Sequence, residues 1–342
     1  MAAFINHGRF LPFGRVMAVL LAATVLMSGW ALTCGSFPVS VADTWEAVRT
    51  WISGGVPDNR TIYSVVVNVR LPRVVLALAA GAGLAAAGAG FQALFANPLA
   101  TPDTLGVATG AAFGAVLGIL LGVNPAFVQL LALLMGLAAV ALVFVVSRVR
   151  GRTSVLMLIL SGLVIAALFS ALISLVKYTA DPQDTLPAIT FWMMGAFTGA
   201  NAAVLSQGLP FIVLGALGLW LLRWKMNALS LPEEEARSLG IPVGKLRAAV
   251  IVAATMMTAS VVSMCGLIGW VGLLVPHGAR LLFGSDNDRV VPASFVMGAL
   301  FVLTADTAAR CCGEMEIPVS ILTAVIGAPL FIVLLRRTGV VN

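Results

Sequence analysis

Apolar residues run through this chain in long stretches that charged residues never enter. Asp, Glu, Lys and Arg are missing from 16–42, 74–102, 104–147, 153–176, 185–222, 248–279 and 317–335. About 20 apolar residues in a helix cross the roughly 30 Å hydrocarbon layer of a bilayer. Each stretch is therefore long enough for one or two crossings. The strands of a membrane barrel would alternate apolar and polar with period two, whereas these runs are continuous and predict helices. Breaks at Gly, Pro and clustered charge predict an all-α membrane protein of about ten helices. They lie near 15–34, 71–95, 104–122, 126–147, 154–176, 204–222, 246–266, 268–283, 291–309 and 317–335. Connectors are short, so residues 1–342 read as a single transmembrane domain.

Composition agrees with the pattern. The chain is 60% hydrophobic and only 10% charged, against about 25% charged in soluble domains. Its 34 Gly and 16 Pro suit membrane helices, where neighbouring segments satisfy freed backbone groups. The net charge of +6 is explained by basic loops on the cytoplasmic side rather than by nucleic acid. With the N-terminus inside and ten crossings, fourteen of the twenty basic residues fall inside and six outside. Both termini are then cytoplasmic, and the first helix reads as an uncleaved span. Cys34, Cys265, Cys311 and Cys312, with two His, show no metal-ligand spacing. The expected metal set is therefore none, and the cysteines read as small packing residues.

Several local patterns carry more. Gly106, Gly110, Gly114, Gly118 and Gly122 recur every fourth residue, a stripe along which a second helix backbone approaches closely. Ser230-Leu231-Pro232-Glu233 resembles a capping box, with Glu233, Glu234 and Glu235 at the positive end of a helix dipole and Gly240 as a stop. This predicts a short amphipathic helix of about two turns. Asp306 lies inside a span with Arg310 four residues on, which predicts a local ion pair. Asn97, Thr153 and Ser154 stand at helix ends, where such residues cap. The segment Gly240–Leu246 looks superficially like a phosphate loop, but it is a residue short and lacks Ser or Thr after Lys245. No nucleophile–base or metal constellation supports an enzyme. A gradient-driven transporter generally needs several ionisable groups in its spans, and Asp306 is the main one here.

Taken in order, the motifs resemble a known family. They are Arg70-Leu71-Pro72-Arg73, Asn97-Pro98-Leu99-Ala100 with Leu105-Gly106-Val107, Phe191-Trp192-Met193-Met194-Gly195, and Glu234-Glu235-Ala236-Arg237-Ser238-Leu239-Gly240. Next come Gly269-Trp270-Val271-Gly272-Leu273 with Val275-Pro276-His277, then Ala305-Asp306 with Ala309-Arg310. Leu322-Thr323-Ala324 with Ile326-Gly327-Ala328-Pro329 completes the series. The series resembles the permease subunits of ABC importers for iron–siderophore complexes, haem and cobalamin. Trp270, Gly278 and Ser320 depart from the usual pattern.

The resemblance implies a second permease subunit and two cytoplasmic ATPase subunits that use ATP and Mg. It also implies an external solute-binding protein and a metal-chelate substrate, with the chain embedded in membrane lipid and no cofactor of its own. Arg70, Arg73 and Arg310 would receive acidic residues of the binding protein. Leu231 and Glu233 through Gly240 would seat in the ATPase. Asn97, Leu99, Thr153 and Ser154 would form a cytoplasmic gate. Iron–siderophore is the first expectation for the cargo, with haem and cobalamin as alternatives, oxyanions also open, and a secondary transporter as the remote one.

Overall fold

A computed structural model describes residues 12–148, 154–311 and 316–337. Thr153, Cys312 and Met315 lie outside the described residues, as does the side chain of Glu233. The described residues fold into helices without a strand.

The order is α1 (Phe13–Thr33), α2 (Val41–Ser53), α3 (Arg60–Tyr63), a π-helical stretch (Ser64–Arg70), α4 (Leu71–Leu94) and a 3-10 turn (Pro102–Leu105). Then come α5 (Val107–Leu120), α6 (Pro125–Ser147), α7 (Val155–Thr179), α8 (Thr185–Met193), α9 (Ala202–Met226) and a 3-10 turn (Asn227–Ser230). The last are α10 (Glu233–Ser238), α11 (Val243–Cys265), α12 (Val271–Phe283), α13 (Asn287–Cys311) and α14 (Val319–Arg337). Among the described residues, seven helical stretches are long and apolar enough to cross a membrane, and three more apolar helices are shorter. At about 1.5 Å per residue, the 13-residue α12 reaches only about 20 Å.

Burial separates centre from rim. In α4 and α11, 78% of the most apolar window is buried; in α1 it is 6%. The central α4 is wrapped by α9, α11, α12 and α13, and glycines make that wrapping tight. A Cβ on Gly81 would lie 2.1 Å from the Gly298 carbonyl oxygen of α13, and one on Gly298 would lie 2.3 Å from that of Gly81. Gly88 meets the Gly272 carbonyl of α12 in the same way.

The glycine stripe divides by role. Gly110, Gly114 and Gly118 face the α6 backbone around Met135, Leu131 and Val128. Gly106 and Gly122 instead adopt positive φ at the two ends of α5, where a glycine is needed for conformation.

Two helices, α2 and α8, lie outside the ten predicted segments. α2 begins at Ser40, whose Oγ accepts from the Asp43 N–H at 3.1 Å, and ends at Gly54 in the left-handed region. Its charges interrupt the apolar pattern, yet Thr44 and Ala47 pack inward while Val41, Trp45 and Ile52 stay exposed. α8 is similarly short. The second predicted helix also starts earlier than 71: helical structure is continuous from Arg60 through Leu94.

Candidate functional site

The chemistry sits at two opposite ends of α4. At its first end the helix meets α1 and α13, and this is where the three predicted arginines gather. All three are buried, at 4% (Arg70), 7% (Arg73) and 6% (Arg310) exposure. They therefore do not present open guanidinium groups at a mouth.

Arg73 donates from Nε and Nη2 to Asp306 at 2.8–3.2 Å, and from Nη1 to both Glu316 oxygens at 2.8 and 3.0 Å. Arg310 Nε lies 3.3 Å from Asp306 Oδ2, and its Nη atoms donate to the Cys34 and Ala31 carbonyls. Arg70 donates to the carbonyls of Leu32, Thr33 and Phe37.

The physical reason is the missing water. A buried guanidinium must spend its donors on oxygens, and the C-terminal end of α1 supplies orphan carbonyls. Asp306 is fully buried and pairs with both Arg73 and Arg310, with Glu316 supplying the second negative charge. Glu316 was not singled out by sequence reasoning. Its side chain is 38% exposed and covers the outer edge of Arg73. Outside the spans, a hydrogen bond with Asp58 raises the Glu46 carboxyl from its ordinary pKa.

At the other end α10 projects between α9 and α11. Among the described side chains of this segment only Ala236 is buried; Leu231, Glu234, Glu235, Arg237, Ser238, Leu239 and Gly240 are exposed. The helix begins at Glu233 with Pro232 in the cap position. The Ser230 hydroxyl, predicted to open a capping box, donates to the Asn227 carbonyl and helps close the preceding 3-10 turn. Gly240 has φ +75°. Its N–H donates to the Arg237 carbonyl, and that of Ile241 to the Ala236 carbonyl, a Schellman stop that fixes where α11 starts.

Sequence reasoning also missed the clasp beside α10. Asn227 Nδ2 donates to Asp286 at 2.7 Å, while its Oδ1 accepts from the backbone and side chain of Asn287 at 2.8 and 2.9 Å. Arg223 pairs with Asp288 at 2.7 Å. These bonds tie the base of α10 to the α12–α13 connector. The polar run Ser285-Asp286-Asn287-Asp288-Arg289 was the signal that could have found it.

Asn97 is exposed and its Oδ1 accepts from the Leu99 N–H at 2.9 Å; Leu99 is 48% exposed. Ser154 Oγ accepts from the Met157 N–H at the start of α7. Each of these bonds is local. No His/Cys/Asp/Glu cluster among the described residues could hold a metal.

Comparison with known proteins adds the lineage. The family model described as FecCD transport family matches residues 20–337. The chain is 43% identical over 279 residues to the molybdate import system permease protein MolB of Haemophilus influenzae, covering 80% of this chain and 82% of that one. It is 36% identical over 319 residues to an iron chelatin transport system permease protein of Helicobacter pylori, covering 92% and 96%. It also superposes on a metal-chelate type ABC transporter solved in an inward-facing conformation. There the TM-score is 0.86 with 38% identity, over 95% of this chain and 99% of that one. With a family model spanning nearly the whole chain, and its apolar helices long enough to cross a bilayer several times, this multi-pass membrane protein belongs to the FecCD transport family.

Proposed function

We propose that this chain is one permease half of an ATP-driven importer for a metal chelate, iron–siderophore first. It would pair with a second permease and sit on two ATPase subunits that bind ATP and Mg. Ten crossings with both termini cytoplasmic then put α10 inside and the arginine cluster outside. The observation that carries this reading is α10. It is a rigidly stopped helix with exposed Leu231 and Leu239, held at its base by the Asn227 clasp. An exposed apolar pair flanking acidic residues fits a partner groove better than water. ATP hydrolysed in the partner would move this helix and shift the population between outward- and inward-open states.

On the same reading Asn97, Leu99, Thr153 and Ser154 form the cytoplasmic gate. Arg70, Arg73 and Arg310 organise the docking face for an external solute-binding protein. Their burial leaves the Arg73 edge under Glu316 as the place where a partner carboxylate would bind.

A second cargo, molybdate, is favoured by one observation, the 43% identity to a molybdate permease. The test is uptake by the purified permease–ATPase complex in proteoliposomes, with its binding protein, using radiolabelled iron–siderophore and molybdate in parallel. ATP-dependent accumulation of the iron chelate supports the first reading, and of molybdate alone the second. Accumulation driven by an ion gradient without the ATPase contradicts both.

A further inference from the structure

The outer arginine cluster contains its own substitute for a partner's acid. Arg73 has two donor edges. Nε and Nη2 are committed to Asp306, which is fully buried. Nη1 faces the other way and is held by both oxygens of Glu316. These carboxylates are not equivalent. Removing Asp306 would leave buried Arg310 without a carboxylate and Arg73 with Glu316 alone, whereas Glu316 is 38% exposed and lies just before α14, so it can return to water at little cost. Glu316 is held by Nη1 alone, whereas Asp306 takes two nitrogens, and a charge-assisted N–H···carboxylate bond of that kind is also one an acidic residue of another protein can make. The described alternatives are poorer. Arg70 and Arg310 are spent on carbonyls of the α1 end and on Asp306.

We infer that Glu316 is a built-in competitor: it occupies the Nη1 edge of Arg73 in the undocked permease, and an acidic side chain of the solute-binding protein displaces it. This rests on the docking reading above and deepens it. Competition keeps the Nη1 edge of Arg73 occupied at all times, so no buried donor is left bare between transport cycles. It also sets binding-protein affinity lower than an open arginine would, which favours release after delivery.

The experiment uses the full permease–ATPase complex in lipid nanodiscs and two probes. The first is phenylglyoxal, which modifies accessible guanidinium groups, with Arg73 labelling read by peptide mass spectrometry. The second is the solute-binding protein that stimulates ATP hydrolysis by this complex, with affinity read by surface-immobilised titration. Glu316→Ala should raise Arg73 labelling severalfold and tighten binding-protein affinity by roughly fivefold, the scale of one partly exposed ion pair. Glu316→Gln, which keeps the size and loses the charge, should fall between.

Unchanged labelling in Glu316→Ala overturns the inference, because Glu316 then does not cover Arg73. Raised labelling with unchanged or weaker affinity overturns it too. A parallel Arg73→Lys variant, which keeps the charge beside Asp306, separates the two claims. If it weakens docking while Glu316→Ala fails to tighten it, only the competition falls. If a monodisperse Arg73→Lys complex docks like the parent, the docking reading falls with it.

Discussion

Asp306 shows what one residue does in a place without water. It is fully buried and within ion-pair distance of Arg73 and Arg310. Asp306→Ala would leave two buried guanidinium groups short of a counter-charge, at a cost of roughly 3–5 kcal/mol. The expected outcome is a large loss of thermal stability in detergent, followed by fluorescence-detected size exclusion, while Glu316→Gln elutes and melts close to the parent. Equal stability of Asp306→Ala and the parent would mean the pair is solvated. Half of this arrangement was legible in the sequence. Arg310 stands four residues after Asp306, so helical spacing alone brings them together. Arg73 is 233 positions away in the chain, and no local pattern reports it. The burial of the arginines was hidden for a related reason. An Arg at the end of an apolar run looks exposed until the carbonyls of α1 are folded against it.

At the scale of elements, the contact between α4 and α13 is the tightest test. Gly81 and Gly298 bring backbone against backbone, with no space for a Cβ on either side. Gly81→Leu or Gly298→Val should separate the helices. In membranes such packing, rather than hydrophobic burial, holds helices together, so the expected result is loss of a monodisperse folded peak. Gly244→Ala, at a position with open space around it, is the matched control and should behave like the parent. Comparable yields for all three variants would contradict the packing argument. The sequence advertised the regular stripe on α5, because a four-residue period is visible within one helix. Gly81 and Gly298 form a pair only in three dimensions.

Helix legibility followed the same logic. Long uncharged runs identified the apolar helices, and Pro232 with Gly240 bracketed α10. Short α2 was missed, since a 13-residue helix carrying Asp43, Glu46 and Arg49 breaks the signal used to find the others; α8 lies inside the uncharged stretch 185–222 and, at 9 residues, is too short for a crossing. At α10, Leu239→Asp should leave folding intact, because Leu239 is 67% exposed. It should also cut co-purification of the ATPase and transport by tenfold or more. Full coupling in that variant would remove α10 from its assigned role.

Over the whole molecule, the helix α4 joins two ends with different chemistry. One is a sealed charge cluster with a single replaceable carboxylate, and the other is an exposed helix set on a polar clasp. On the proposed function, work enters through α10. The most direct measurement is uptake into proteoliposomes holding the permease–ATPase complex, comparing the parent with Leu239→Asp under internal and external ATP. The account predicts accumulation by the parent only when ATP is on the α10 side, with the variant near background although it remains folded. Uptake by the permease alone, or equal uptake by the variant, would contradict it.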